Sequence, residues 1–246
     1  MINYIKADIY RSLNKVSYWV YTAIFAAISV AFTIVLYSIH REIPSINLNS
    51  VSIAIPYVFI SPVYIIIFFI EVVTEDEERN GTLKNVVSYG VSRNTVVISK
   101  VISTVILSII SALIILGIFS ISILILFVGE KYVLIEFIKR CLLASVLWAG
   151  AISFGTFLYL IINGSMSAVI YIFSFLMAKN IIAFLTILVS DKLKYLNEIL
   201  ISNKLKIIAS EPLTMNNVGP ALLVGIMYIV VFTGLGMIYL KNKEIK

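Results

Sequence analysis

The stretch "ISKVISTVILSIISALIILGIFSISILILFV", residues 98–128, carries one charged side chain, Lys100, in 31 residues. About 20 mostly apolar residues cross the hydrocarbon core of a bilayer as an α-helix. This run exceeds that, so it is expected to tilt or to extend beyond the bilayer. A transmembrane β-strand would alternate apolar and polar residues over about ten positions. Here the apolar residues lie on all sides, and the run reads as a membrane helix. Outward from it, five further stretches qualify, at about 16–39, 52–73, 141–162, 167–189 and 218–240. The fold class expected is an all-α polytopic membrane protein of six transmembrane helices, forming a single domain over residues 1–246.

Composition agrees. Of 246 residues, 61% are hydrophobic and 13% charged, and mean hydropathy is +1.04. A soluble globular chain is nearer half apolar and a quarter charged, so this chain could not cover its own surface with polar groups. One Cys, Cys141, precludes an internal disulfide framework or a Cys-based metal site. One His, His40, leaves no His cluster for metal or for a triad. The formal charge of +6 suits basic residues that flank spans and meet anionic lipid. Nucleic acid is not expected as a partner, because no basic stripe with interleaved aromatics occurs.

Residues 1–15 place Ile2, Ile5, Ile9 and Leu13 at helical spacing, with Lys6, Asp8, Arg11 and Lys15 between them. The pattern predicts an amphipathic helix on the membrane surface, and it lacks the cleavage site of a secretory signal. Tyr18, Trp19 and Tyr21 then read as an interfacial aromatic belt. Three basic residues precede the first span and only Arg41 closely follows it, which points to cytoplasmic termini. Residues 190–217 form an insert expected on the extracellular side. Leu193, Leu196 and Leu200 share a helical face there, in one or two short interfacial helices. Pro220 should lie near the first turn of the last span.

That topology makes 74–97 a cytoplasmic loop: "TEDEERNGTLKNVVSYGVSRNTVV". Asn80-Gly81 is a turn dipeptide and Thr82 can cap a helix. Leu83, Val86 and Val87 share one face of that short helix. Gly90 supplies a left-handed stop, and Ser92 can cap the helix that follows. So short a helix persists only with its apolar face buried, on the bilayer surface or in a partner's groove.

The pattern resembles the cytoplasmic loop of ABC-2 type permeases, the membrane subunits of ATP-driven exporters. It has an acidic residue shortly before Gly-Thr-Leu-Lys, then an apolar helical turn, a Ser-Arg pair, and a Lys seven residues on. Those positions here are Glu78, Gly81, Thr82, Leu83, Lys84, Ser92, Arg93 and Lys100. Two positions differ: the family often has Pro before the Ser-Arg pair, and often an acid where this chain has Arg79. The resemblance implies a coupling helix between spans two and three that docks on a separate ATP-binding subunit. Leu83, Val86 and Val87 would enter its cleft, with Lys84 and Arg93 at the rim. It also implies a second permease copy or a homologue. The chain itself has no G-x-x-x-x-G-K-[ST] motif, so it is not expected to be an enzyme or to bind a cofactor. ATP and Mg would belong to the partner.

Few other residues suggest chemistry. Lys179 falls mid-way along the fifth span, where a cation costs at least about 2.5 kcal/mol. It reads either as a pathway or subunit-interface residue or as a snorkelling side chain. Glu71, at the end of span two, reads as an interfacial carboxylate. Pro56 and Pro62 should kink that span. The pairs Ala151/Gly155 and Ser108/Ala112 could allow close helix packing.

The function expected is export of an amphipathic or apolar cargo across the cytoplasmic membrane: a peptide, a lipid-linked compound or a drug. By analogy with small permeases of this type, antimicrobial-peptide export or immunity is included. Alternatives are a membrane sensor partnered with an ATPase, or a secondary transporter. The latter would be expected to carry a mid-membrane Asp or Glu. An intramembrane enzyme would need paired carboxylates or a base beside a nucleophile within the spans.

Overall fold

The structure, a computed structural model, describes residues 1–42, 55–79, 83–127, 131–162 and 164–243, the side chains of 42, 55–57, 75–79, 83–85, 131–134, 165 and 191 apart. All regular structure among these residues is helical. The order is α1 (Ile2–Leu13), α2 (Val16–Glu42), α3 (Ile55–Arg79), α4 (Leu83–Ser88), α5 (Arg93–Leu126), α6 (Lys131–Ile161) and α7 (Ser165–Leu188). A 3-10 helix (Asp191–Ile199), α8 (Ile201–Ser210) and α9 (Met215–Asn242) follow.

Five of the described helices are long and apolar enough to cross a bilayer: α2, α5, α6 from Ile135, α7 and α9. The stretch expected at about 52–73 falls on α3, whose apolar part is shorter, Val58–Thr74; residues 52–54 lie outside the described residues. What α3 lacks in length it makes up in burial. Phe59, Val63, Ile66, Ile67, Phe69, Ile70, Val72 and Val73 are all buried, so α3 is the central post of the bundle.

Pro62 lies inside α3, where its missing N–H deprives the Val58 carbonyl of an intrahelical partner. The Ser61 hydroxyl donates to that carbonyl at 3.0 Å. Neighbouring helices also donate to α3 carbonyls. Trp148 Nε1 of α6 reaches Phe59 O at 3.1 Å, and the Tyr171 hydroxyl of α7 reaches Val63 O at 2.8 Å. With little water to satisfy freed carbonyls in a membrane interior, such side chains are what make a proline tolerable there.

Small residues set the closest approaches. A Cβ on Gly225 of α9 would lie 2.9 Å from the Val146 carbonyl oxygen of α6, and one on Gly150 would lie 3.0 Å from Gly225 O. Gly155, expected from its spacing with Ala151, is a second such point: a Cβ there would strike Ile70 Cδ1 and Tyr171. The Ser108/Ala112 pair of α5 is half-buried, and the contact of α5 with α2 is made beside it. Leu107 and Ser111 lie at that contact, buried against Tyr18 and Thr22. Tyr18 is therefore no belt residue. It is fully buried, and its hydroxyl donates to Leu107 O at 3.1 Å and accepts from Ser111 Oγ at 2.8 Å. Trp19 stays half exposed, and its Nε1 donates to Leu13 O at the end of α1.

Three boundaries depart from the sequence reading. α6 begins at Lys131 rather than near 141, and two of the charged residues in that extension, Glu136 and Arg140, are paired. Arg140 pairs with Glu136 at 3.1 Å and donates to the Ile208 and Glu211 carbonyls ending α8. α9 begins at Met215, which moves Pro220 into its second turn. The acidic run after Thr74 is helical and belongs to α3 rather than to a loop.

The insert is two short helices, but the expected leucine face is not its buried one. Leu196 is largely exposed, whereas Ile201, Leu205 and Ile208 of α8 join the main core with Phe59, Val63, Leu147 and Ala221. α8 is thus a wedge among the ends of α3, α6 and α9, not a helix resting on an interface. Buried Lys204 within it is paired with Glu198.

Candidate functional site

At the opposite end of the bundle from α8, four elements converge around α4. Residue Val86 of α4 packs on a buried cluster of Val96 and Val97 of α5, Leu160 of α6 and Leu240 of α9, joined by Tyr4 of α1. The turn that ends α4 explains how. Gly90 N–H donates to Val87 O at 3.0 Å and Val91 N–H to Val86 O at 3.4 Å, and Gly90 has φ +87°. This is a Schellman closure, in which the residue after the glycine contacts the third residue from the helix end. Val91 accordingly packs on the same cluster as Val86. Ser92 then caps α5, its hydroxyl accepting from Thr95 N at 3.2 Å.

Arg93 is turned inward. Its Nη1 donates to the carbonyls of Leu240, Lys241 and Lys243 at 2.8–2.9 Å, and so caps the C-terminus of α9, where orphan carbonyls and the negative end of the helix dipole attract a cation. Lys243 in turn donates to Leu160 O of α6 at 3.2 Å. The end of α4 and the start of α5 are thereby tied to the ends of α6 and α9.

About two helical turns further along α5 from Arg93 lies a buried ion pair. Lys100 Nζ stands 3.1 Å from Asp8 Oδ2 and donates to Oδ1 at 3.2 Å and to Val73 O at 3.1 Å. Their side chains are 3% and 2% exposed. Arg11 reaches the same carboxylate at 2.8 Å and Val73 O at 3.3 Å, while Lys15 donates to Val72 O at 2.6 Å. The face of α1 that the sequence marks as polar is therefore turned in part toward α3 and α5. Asp8 and Ser12 are its buried residues, while Ile2 is exposed. The physical reason is Lys100: a cation inside an apolar run needs a carboxylate, and α1 brings one.

The remaining expected site residues scatter. Val87 is half-buried. Gly81 and Thr82, and the side chains of Glu78, Leu83 and Lys84, lie outside the described residues. Glu71 is half-buried next to Val72 in α3. Lys179 is exposed on α7, remote from this end of the bundle, among exposed Phe173, Leu176 and Phe184. The sequence reading missed Asp8 as the partner of Lys100. The available signal was the helical spacing of Tyr4, Asp8 and Ser12, which puts one acid on a face of its own.

Long apolar helices of this kind are those of a multi-pass membrane protein. The model of the ABC-2 family transporter proteins matches residues 14–179, and the chain belongs to that family. No curated protein matches the chain.

Proposed function

We propose that the chain is the transmembrane subunit of an ATP-driven exporter, with α3 as the sixth span and both termini in the cytoplasm. Membership of the ABC-2 family is the observation that carries this reading. The bonds of α5 to α1 through Lys100 and Asp8, and to the end of α9 through Arg93, support it, since the N-terminal helix and the end of α9 both lie against the first part of α5. Loop 74–97 is the coupling element, with Glu78, Gly81, Thr82, Leu83, Lys84, Val87 and Ser92 at or near the docking surface. Val86 and Arg93 hold α4 in its seat from within. The partner is an ABC-type ATP-binding subunit that carries ATP and Mg, and a second permease copy or a homologue completes the pathway. The cargo proposed is amphipathic or apolar, a peptide of the antimicrobial class among the candidates, because the described spans offer few fixed charges.

The test is purification of the tagged chain from its own host in mild detergent, with mass spectrometry and an ATPase assay. A stoichiometric ATP-binding subunit with nucleotide hydrolysis is expected. A chain that emerges alone, under conditions that preserve other complexes, would count against the exporter reading.

Lys179 is proposed as a pathway or copy-interface residue, on its exposure along the mid-part of α7. Lys179→Leu should then reduce cargo flux or copy association severalfold. Unchanged flux and unchanged association would leave it as a snorkelling side chain.

A further inference from the structure

At the α8 end of the bundle, the 3-10 helix, α8 and the first turns of α9 border an open cleft of about 460 Å³, within the size range of small-molecule sites. Its wall divides by chemistry. Glu198, Lys204, Asn216 and Asn217 form the polar part, and Ile207, Pro220, Leu223 and Val224 the apolar part. Lys204 and Glu198 are paired, with side chains 7% and 60% exposed, so the cation is set into the wall while the carboxylate stays accessible. The start of α9 adds to this. Pro220 has no N–H, which frees the Asn216 carbonyl from its intrahelical bond. Thr214, at the N-cap, makes no side-chain capping bond, so the first turn keeps donors and the positive end of the helix dipole for an anion.

We propose that this cleft binds a zwitterionic phospholipid whose headgroup joins a phosphate to a primary ammonium, phosphatidylethanolamine being the type. The charges select the headgroup. A lone anion would meet Glu198 as well as Lys204, and a lone cation would meet Lys204 as well as Glu198. A zwitterion satisfies both. Its phosphate goes to Lys204 and the start of α9. Its ammonium, with three N–H donors, goes to Glu198 and the freed Asn216 carbonyl; a quaternary ammonium has no N–H to give either acceptor. The surface beyond the cleft selects a lipid over a free headgroup. At 100° per residue, Asn216, Pro220, Leu223, Met227, Val230 and Gly234 fall within about 80° of one another on α9. Leu223, Met227 and Val230 are exposed, and nothing lies within 4 Å of a Cβ added at Gly234. From Leu223 to Gly234 this stripe runs roughly 16 Å, a bed for an acyl chain continuous with the cleft. The proposal needs the chain to sit in a bilayer and does not rest on the exporter reading.

The experiment measures binding of phosphatidylethanolamine, phosphatidylcholine and phosphatidylglycerol of identical acyl chains to the detergent-purified full chain, by native mass spectrometry and thermal midpoint. Free phosphoethanolamine is the fourth ligand. Wild type should bind phosphatidylethanolamine at least tenfold more tightly than either other lipid, and free phosphoethanolamine far more weakly. Glu198→Gln should abolish the preference over phosphatidylglycerol, because Lys204 then faces an anion unopposed. Gly234→Leu, which fills the stripe, should weaken phosphatidylethanolamine severalfold and keep the headgroup order. Equal binding of the three lipids by wild type, a comparison that needs no variant, would overturn the proposal in favour of ordinary solvating lipid. A preference that Glu198→Gln leaves intact would overturn it as well. Free phosphoethanolamine binding as tightly as the lipid would overturn the lipid as occupant, in favour of a soluble zwitterion.

Discussion

Asp8→Ala is expected to destabilise the folded permease by about 3–5 kcal/mol, the usual cost of removing one partner from a buried ion pair. Lys100 would keep its place in α5, nearly without solvent, but lose the carboxylate it now meets at 3.1 Å. Arg11 is about a third exposed, so water will screen its share, and little of the loss should come from there. The decisive comparison is the double variant Asp8→Leu/Lys100→Met. Buried ion pairs replaced together by apolar residues are often neutral or stabilising, so the double variant should recover most of what the single one loses. Thermal unfolding of detergent-purified protein, read by fluorescence-detected gel filtration, measures both. A single variant within about 1 kcal/mol of wild type would show that the pair does not hold α1 to α5.

The second large effect lies in the contact of α6 with α9. Gly225→Ala would put a methyl carbon 2.9 Å from a backbone oxygen and 2.9 Å from Val146 Cγ1. A flexible side-chain tip can swing away, but a helix backbone cannot, so α6 and α9 must separate. Overpacking of this kind costs about 1–3 kcal/mol. Gly234, two turns and more along the same helix, has nothing within 4 Å of its added carbon. Gly234→Ala should instead gain up to about 1 kcal/mol from helix propensity. Opposite signs from one substitution on one helix would locate the close approach, and equal effects would show that the helices do not meet at Gly225.

How much of this the sequence disclosed depended on whether a signal was local. The positions of the long helices followed from apolar runs, and the Gly90 stop and Ser92 cap followed from residue chemistry within a few positions. Both signals act through the chain's immediate neighbours. Most of the failures are long-range. Arg140 looked like a loop residue because its partners, the carbonyls ending α8, lie 68 and 71 residues away. Tyr18 looked like a belt residue because Ser111 and Leu107 are remote in sequence. Of the apolar face read for α4, Val86 packs inward on this chain. Whether it would be covered by this chain or by another is a question that helical periodicity does not answer. The acidic run misled in a different way: four acids at the end of a helix oppose the dipole, so nothing local favours the helix that α3 forms there.

The Arg93 cap also sets a timetable. Leu240, the first of its acceptors to be made, is 147 residues further along the chain than Arg93 itself. At roughly 5–20 residues per second, several seconds or more of synthesis separate the two. Until α9 arrives, Leu240 is missing from the cluster beneath α4, and α4 has an incomplete seat. An ATP-binding subunit that recognises α4 and its turn in their final posture would therefore bind only after α9 is in place. The subunit would read whether the permease has been made through α9, and half-made chains would be spared unproductive assembly.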